Sequence, residues 1–372
     1  MVVRVYLKQA WNLMKQNPLF STLYIVGTGI SIVMTMVIAI VYYVRLAPVY
    51  PETNRMRTLV VKSAKMTNDE STHSSNISYA MLKDWFYSLE SAEVSTGVSG
   101  TSYARVTNDK EEIPTYARYT DENFFRVFPL VFLEGKPFTE ADRRSGIHNV
   151  VLTDSYAQQL FGTTKGVVGK NFLMDYTNVK VVGVVKSGSF LTPDSYAQVY
   201  LPYSCRDGYD DERSHWALGG YRVYILMKES KSVTDVQDEV LELVRKFNVS
   251  DMGDGWKLDL VGQPELYWHS TFRLRNNVDV DWGRVIWMFV GIFMVLLFVP
   301  AFNLSGMISA RMERQLPDLG IRKAFGASRR RLLVQIIWEN LLLTGLGTLL
   351  GLVIAWICLL YTSPSPRDGA TS

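Results

Sequence analysis

The chain has 372 residues, of which 48% are hydrophobic, 12% are aromatic and only 20% are charged, and its mean hydropathy is +0.04. This composition excludes intrinsic disorder, because disordered chains lack the apolar side chains needed for a core. The formal net charge of +3 is too small for a nucleic-acid-binding surface, so we expect no nucleic-acid partner. Long segments without ionisable side chains predict a membrane protein.

The first 18 residues predict an amphipathic helix on the cytoplasmic membrane surface, where it would contact membrane lipids. Four apolar residues share one face of this helix: Val3, Leu7, Trp11 and Met14. Three basic residues lie away from that face: Arg4, Lys8 and Lys15. The alternative is a solvated basic leader that only orients the following segment.

Residues 19–46 predict the first transmembrane helix. No ionisable side chain lies between Lys15 and Arg45, and the segment is long enough to cross a hydrocarbon core of about 30 Å. A cleaved signal peptide would have an apolar region of only roughly 7–15 residues. Two further apolar segments predict transmembrane helix 2 at 283–308, kinked at Pro300, and transmembrane helix 3 with a cytoplasmic extension at 333–360.

The flanking charges predict the orientation, because Lys and Arg near span ends are retained in the cytoplasm. The segment 309–332, between the second and third spans, is strongly basic: Arg311, Arg314, Arg322, Lys323, Arg329, Arg330 and Arg331. It holds only Glu313 and Asp318 as acidic residues. This segment and the N-terminus are therefore predicted inside, and residues 47–282 outside, as a folded domain.

The external segment 47–282 predicts an α+β domain inserted between spans 1 and 2. Short β-branched and aromatic runs bounded by turn residues predict strands: LVVKSA, NVVLT, KVVGVV, AQVYLPY and YRVYILM. Helical spacing predicts helices at Ser78–Ser91 and Val233–Asn248, the second capped by Thr234. Cys205 is alone in this segment and Cys358 lies in the third span, so we expect no intrachain disulfide.

Small residues at every fourth position predict helix-packing faces in two spans. In the first span they are Gly27, Ser31, Thr35 and Ala39, and in the third they are Gly347, Gly351 and Ala355. Asn303, near the cytoplasmic end of the second span, is predicted to bridge helices. The alternative is that these residues are simply common in membrane spans.

The most informative stretch runs from Asn303 to Gly351 and reads NLSGMISARMERQLPDLGIRKAFGASRRRLLVQIIWENLLLTGLGTLLG. It resembles the hallmark cytoplasmic loop of the MacB-like and FtsX-like family of ABC-transporter permeases. The positions that match the family motif are Arg314, Leu319, Gly320, Ile321, Arg322, Lys323, Ala324, Gly326, Ala327, Gln335 and Glu339. Pro317-Asp318 departs from the family, which has Glu before Ile-Gly at this point.

The external segment resembles the periplasmic core domain of the same family. The resembling stretches follow in order: FFRVFPLVFLEGKPFTEAD, VVLTDSYAQQLFG, GVVGKNF, VKVVGVVK and QVYLPY. The family has four spans, so the resemblance implies that a fourth is missing here and that the chain is C-terminally truncated. Residues 361–372, YTSPSPRDGATS, resemble translated sequencing-adapter sequence, and we expect a non-native tail.

The resemblance implies that the segment 309–332 couples to a cytoplasmic ABC ATPase. Ile321, Ala324 and Phe325 would be the buried anchor, with Arg322 and Lys323 as the charged rim. The alternative is that the charges only set topology. Gly162–Lys170, GTTKGVVGK, lacks Walker A spacing and is predicted to be a turn before a strand, so ATP and magnesium are expected in a partner ATPase and no cofactor in this chain.

Catalytic or metal sites find no support in the sequence. Neither a Gly-x-Ser-x-Gly elbow nor a His-Glu-x-x-His helix occurs, and the four histidines lack ligand spacing: His73, His148, His215 and His269. We therefore expect a non-catalytic subunit.

The resemblance implies a multi-pass permease of the bacterial inner membrane. It would pair with a second copy or a paralogue, and possible further partners are a periplasmic adaptor and an outer-membrane channel. ATP-driven motion would pass to the periplasmic domain, a mechanism called mechanotransmission, for efflux of drugs, peptides or lipoproteins. The alternative is an FtsX-like regulator that activates a periplasmic cell-wall hydrolase.

Overall fold

The structure, a computed structural model, describes residues 11–12, 15, 18–100, 102–107, 112–206, 208–209, 217–250, 255–298, 317, 320–321, 324–325 and 328–362. They form two compact units. One, the helical unit, includes the described residues up to Tyr42 and from Trp282 onward. The other, the external domain, includes those within Tyr43–Asp281.

The helices are, in chain order, α1 (Pro18–Leu46), α2 (Tyr79–Asp84), α3 (Phe124–Val127), α4 (Glu140–Arg144), α5 (Asp154–Phe161), α6 (Val233–Val249), α7 (Trp282–Phe298) and α8 (Arg329–Thr362). Short 3-10 turns occur at Arg55–Arg57, Phe86–Ser88, Tyr203–Cys205 and His269–Phe272.

The strands are β1 (Thr58–Val61), β2 (Ala64–Thr67), β3 (Thr72–Ile77), β4 (Ala92–Ser99), β5 (Ser102–Thr107), β6 (Glu112–Thr120), β7 (Phe132–Gly135), β8 (Asn149–Thr153), β9 (Asn171–Met174), β10 (Thr177–Val185), β11 (Val199–Pro202), β12 (Leu218–Gly219), β13 (Tyr221–Met227), β14 (Lys257–Asp259) and β15 (Glu265–Leu266).

Two helices of the described chain are long and apolar enough to cross a membrane, at Ser21–Leu46 in α1 and Ile336–Cys358 in α8. Helix α7 is apolar but shorter, and the predicted span 283–308 continues beyond it into residues outside the described part. The predicted surface helix at 1–18 lies almost wholly outside the described residues as well. The number of spans therefore stays a prediction.

The first sheet of the external domain has the strand order β14-β2-β3-β13-β1-β15, with β4 also on β13 and β12 on β3. Helix α6 packs on it because Val236, Val240 and Val244 recur every four residues and are buried with the sheet. A capping box of Ser232 and Asp235 begins α6. The predicted cap Thr234 was wrong, since it lies inside the helix.

The predicted helix at Ser78–Ser91 was too long. Ser78 is its N-cap, with its side chain accepting from the backbone of Met81, and α2 ends at Asp84. A 3-10 turn at Phe86–Ser88 follows, where Phe86 is buried in the core of the first sheet. The apolar spacing was real, but tertiary packing of the aromatic residues interrupts the α-helix.

The second sheet has the order β7-β10-β8-β11-β6-β5-β9, and β9 also pairs with β10. Six strands therefore form a closed ring in the order β10-β8-β11-β6-β5-β9, because β9 pairs with both β5 and β10. Strand β9 thus covers the edges that β5 and β10 would otherwise expose. Alternate residues of these strands, such as Val150 and Leu152, are buried together with Tyr156 and Leu160 of α5. Gly162 ends α5 at a φ of 70°, and the turn predicted before a strand at Gly162–Lys170 is confirmed.

Candidate functional site: buried ion pairs that join the two ends of the external domain

Two segments connect the external domain to the apolar helices in sequence. We call residues 47–57, after α1, the leading segment and residues 261–281, before α7, the trailing segment. Both carry ionisable side chains that are buried within the external domain. Buried charges are stable only when they are paired and hydrogen-bonded, so their partners show what holds these segments.

Glu52 of the leading segment is the hub of the first cluster. Its carboxylate pairs with Arg55, which is equally buried. Its Oε1 atom accepts hydrogen bonds from Ser195 Oγ at 2.7 Å and from Tyr267 OH at 2.9 Å. Burial raises the pKa of Glu52, although Arg55 and Ser195 oppose this. One carboxylate therefore joins the leading segment to the trailing segment and to the loop before β11.

Glu265 and Arg273 form the second cluster, inside the trailing segment. The two side chains form an ion pair and are almost fully buried, and His269 Nδ1 lies 2.8 Å from Glu265 Oε2. The Arg273 guanidinium also donates to the backbone oxygens of Val261 at 2.8 Å and Val278 at 2.6 Å. Arg273 thus folds the trailing segment back on itself.

Gln263 attaches the trailing segment to the end of β1. Its Oε1 atom accepts from the Lys62 backbone N–H at 2.6 Å, and its amide nitrogen donates to Ser63 O at 3.2 Å. Ser63 Oγ in turn donates to Asn276 O at 2.6 Å. The trailing segment is therefore bound to the central part of the first sheet along much of its length.

Asp194 completes the network from the loop before β11. It lies 3.2 Å from Lys62 Nζ and 2.9 Å from an Arg222 nitrogen. Burial alone would raise the pKa of Asp194, but the charges of Lys62, Arg222 and Arg118 hold it below its ordinary value. The carboxylate is therefore ionised and fixes the loop against β1 and β13.

This arrangement connects the leading segment, the trailing segment and the first sheet through buried side-chain bonds. A displaced charge in a desolvated network loses its partner, so the network resists any independent movement of the two segments.

Asp121 fixes the second sheet to the first. Its Oδ1 atom accepts from Thr96 Oγ1 at 2.7 Å and Phe124 N at 3.1 Å, and its Oδ2 atom accepts from Tyr87 OH at 2.5 Å and Gly97 N at 2.9 Å. Because Asp121 follows β6, whereas Thr96 and Gly97 lie on β4, these bonds join the two sheets. Burial raises the pKa of Asp121 to about 6, despite these donors.

This raised pKa predicts a pH dependence of stability. Between the ordinary pKa of 3.8 and the folded value of about 6, the folded state holds a proton that the unfolded chain has released. Asp121 therefore contributes about 3 kcal/mol below pH 3.8, and this is lost as the pH rises through about 6. Between pH 5 and pH 7.5, we expect deprotonation of Asp121 to lower the thermal midpoint of the domain by several degrees. The Asp121→Asn chain should not show this contribution to the fall. Calorimetry of both chains at pH 5 and 7.5 tests this, and parallel midpoints would contradict it.

The predicted ATPase-coupling residues are described only in part. Gly320, Ile321 and Ala324 are helical, and Phe325 N donates to Ile321 O at 3.0 Å. The Ile321 and Phe325 side chains are 57% and 88% exposed. The remaining coupling residues lie outside the described residues: Arg314, Leu319, Arg322, Lys323, Gly326 and Ala327. Their role stays a prediction.

The predicted packing ridge of the third span lies against α1. A Cβ atom added to Gly347 would be 2.8 Å from Thr28 Cβ, and one added to Gly351 would be 2.8 Å from Gly29 O. Ala355 of the same ridge is buried. The two helices also share a hydrogen bond of 2.9 Å between the Tyr24 and Thr344 hydroxyls.

The predicted ridge of α1, unlike that of α8, does not coincide with the residues that lie closest to the other helix. Gly27 and Ser31 are half-buried, whereas Thr35 and Ala39 are exposed, and the close approaches to α8 involve Thr28 and Gly29. Ser31 and Thr35 instead bond to backbone oxygens four residues earlier. Asn303 lies outside the described residues. The packing role of these residues stays a prediction.

The described residues contain no group of three or more His, Cys, Asp or Glu that could hold a metal ion. His269 faces Glu265 in the buried network, and His73 lies beside Trp256 with ring centroids 5.4 Å apart. His215 is outside the described part. The absence of a cofactor stays a prediction.

Sequence reasoning missed the buried ionic residues of both segments. Glu52 and Tyr267 are 215 residues apart, and Glu52 and Ser195 are 143 apart, so no local spacing reveals either contact. A usable signal was the density of charged and amide residues in the short runs beside two apolar spans.

Two family models match this chain. Residues 20–243 match the family described as MacB-like periplasmic core domain, and residues 288–367 match the FtsX-like permease C-terminal family. The first match covers more than half of the chain. This is the class of membrane permeases with an external domain between apolar helices.

Individual relatives are distant. The pyoverdine export ATP-binding/permease protein PvdT of Pseudomonas entomophila (strain L48) is 25% identical over 234 residues, which are 61% of this chain and 33% of that protein. The macrolide export ATP-binding/permease protein MacB of Agrobacterium fabrum (strain C58 / ATCC 33970) is 24% identical over 234 residues, 63% of this chain and 34% of that protein. The chain thus spans about a third of these curated relatives.

A solved structure is also similar. The periplasmic region of MacB from Actinobacillus actinomycetemcomitans gives a TM-score of 0.37 at 15% identity, covering 53% of this chain and 88% of that one. From the two family matches, this chain belongs to the MacB-like family of ABC-transporter permeases, with an FtsX-like C-terminal region.

Proposed function

We propose that the chain is the permease subunit of a MacB-like ABC transporter in the bacterial inner membrane. Residues 47–282 would lie in the periplasm, and residues 1–18 and 309–332 in the cytoplasm. The distribution of basic residues around the apolar segments supports this orientation, as does the family membership. The apolar helices α1 and α8 support the membrane placement.

The proposed energy source is a cytoplasmic ABC ATPase, which would bind ATP and magnesium in a partner chain. The observation that carries this proposal is the exposure of Ile321 and Phe325, four residues apart on one helical turn of a basic segment. Large exposed apolar side chains among charged neighbours are typical of the residues that a binding partner buries at an interface. A docked ATPase groove would bury them.

The proposed mechanism is mechanotransmission. ATP-driven closure of two ATPases would move the cytoplasmic ends of the helices. Close packing of Gly347 and Gly351 against α1 supports joint movement of α1 and α8, because backbones in such contact cannot slide without steric conflict. The ion pairs of the leading and trailing segments support transfer of that movement into the external domain.

The proposed cargo is a drug, peptide or lipoprotein taken from the periplasm, in line with the export of macrolides and pyoverdine named for the relatives. A second permease copy or paralogue would complete the transporter, with a periplasmic adaptor and an outer-membrane channel as further partners.

The FtsX-like match favours a second candidate, a regulator that activates a periplasmic cell-wall hydrolase. A peptidoglycan-cleavage assay distinguishes them, since only the regulator would raise the rate of a cell-wall hydrolase when purified permease, ATPase and ATP are added.

Replacement of Gly320 by tryptophan or of Ile321 by aspartate is expected to abolish co-purification with the ATPase. A Cβ at Gly320 meets nothing within 4 Å among the described residues, so the bulky side chain should block docking without disturbing this chain. Pull-down from detergent-solubilised membranes measures the effect. Leu241→Asp, at an exposed leucine of the external domain, is the matched control and should retain the ATPase. Retained binding in Ile321→Asp would refute the assignment.

A further inference from the structure

The trailing segment exposes apolar side chains beside its buried ion pairs. Leu274 is 73% exposed, and Val278 is also exposed. Trp268 and Phe272, earlier in the same segment, are half-buried, with ring centroids 6.5 Å apart. Arg273 fixes the position of this stretch, because its buried guanidinium pairs with Glu265 and donates a hydrogen bond to the backbone oxygen of Val278. The exposed apolar residues are therefore held in a fixed conformation.

One residue of this stretch is bonded to the last turn of α1, and the stretch ends a few residues before α7 in the sequence. Thr271 Oγ1 lies 3.4 Å from the backbone oxygen of Arg45, in the last turn of α1. The candidate span in α1 ends at Leu46, so this hydrogen bond lies at the level where the span ends. Further along the chain, three residues separate Val278 from Trp282, the first residue of α7, and the four extended steps between them reach at most about 14 Å.

The chemistry of the stretch suits a bilayer interface. The headgroup layer is roughly 5–8 Å thick on each side of the hydrocarbon core, and aromatic side chains with polar neighbours concentrate there. Arg45 and Arg275 are exposed near the apolar residues and can reach lipid phosphates. The exposed carboxylates nearby are Asp279 and Asp281, and Asp279 lies 3.4 Å from Arg273.

We propose that residues 268–278 form a contact with the outer leaflet of the phospholipid bilayer. Leu274 and Val278 would enter the boundary between headgroups and acyl chains, and Arg45 and Arg275 would contact phosphates. The contact would brace the trailing segment against the membrane while force passes into the external domain. This inference rests on the proposed placement of α1 across the membrane.

Spin-label accessibility in the full chain tests this proposal. Cys205→Ser and Cys358→Ser provide the background, and a nitroxide is attached at Leu274→Cys in nanodiscs of phosphatidylethanolamine and phosphatidylglycerol. The ratio of collisions with oxygen to collisions with a water-soluble nickel chelate is measured. Tyr176→Cys, 83% exposed between β9 and β10, provides the aqueous reference, and Val37→Cys within α1 provides the lipid reference.

We expect the ratio at Leu274→Cys to be several-fold higher than at Tyr176→Cys and closer to that at Val37→Cys, with the same result at Val278→Cys. If the ratio at Leu274→Cys equals that at Tyr176→Cys while the ratio at Val37→Cys is high, the bilayer contact is overturned but the membrane placement of α1 is not. Low collision rates with both reagents would also overturn it, because another protein surface would then cover the stretch. An aqueous ratio at Val37 would instead remove the proposed membrane placement of α1.

Discussion

Replacement of Glu52 by alanine is expected to lower the free energy of unfolding of the external domain by about 3–5 kcal/mol. The substitution leaves the buried guanidinium of Arg55 without its carboxylate and removes the acceptor of Ser195 and Tyr267. Desolvation of an unpaired charge dominates this cost, because Arg55 cannot lose its proton. Urea unfolding of the purified chain in detergent, followed by near-ultraviolet circular dichroism, measures the loss.

The matched control is a surface ion pair in α6. Arg245 lies 3.6 Å from Glu242, and both side chains are largely exposed, so Arg245→Ala should cost no more than about 1 kcal/mol. Glu52→Gln should cost less than Glu52→Ala, because the amide oxygen can still accept from Ser195 and Tyr267. Equal midpoints for wild type and Glu52→Ala would show that this carboxylate does not hold the leading segment.

The buried ion pairs also explain why the external domain tolerates so many charges near its chain ends. Apolar side chains of equal volume would stabilise the fold as well. An ion pair with additional hydrogen bonds fixes one arrangement of Glu52 or Glu265. Under the proposed mechanotransmission, a single arrangement of these side chains would matter more than additional stability, because the two segments would transmit the displacement.

Local patterns were sufficient to predict the most apolar elements. The run NVVLT coincides with β8 and YRVYILM with β13, because both are buried along most of their length and strongly β-branched or aromatic. Helix α6 was predicted within one residue at its C-terminus, since its apolar face repeats regularly. Strand β3, with the sequence THSSNI, was not predicted, because four of its residues are exposed and polar and its pairing with β2 determines its conformation.

The candidate site was less predictable than the fold. Spacing predicts a packing face at the small residues of α8, but it does not indicate which face of α1 would lie opposite them, because the pairing depends on the rotation of both helices. Charged residues such as Asp194 and Arg273 are indistinguishable in sequence from solvated ones. Their burial arises only when β1, β13 and the trailing segment come together.

Replacement of Gly347 by leucine is expected to separate α1 from α8. The new Cβ atom alone would lie 2.8 Å from Thr28 Cβ and 2.9 Å from Ile25 O, both far inside van der Waals distance. Because the backbone oxygen cannot move independently, the helices must shift apart at a cost of about 1–3 kcal/mol or more. Under the proposed mechanism, joint motion of the two helices, and with it the proposed transport, should then be lost while the chain still inserts.

Distances between spin labels at Ile30→Cys in α1 and Leu352→Cys in α8, both exposed positions, measure this separation in nanodiscs. We expect a narrow distribution in the parent chain and a longer, broader one with Gly347→Leu. Gly345→Leu is the matched control in the same helix, because a Cβ there meets nothing within 4 Å among the described residues, and it should leave the distribution unchanged. An unchanged distribution with Gly347→Leu would show that close packing at this glycine does not hold α8 against α1.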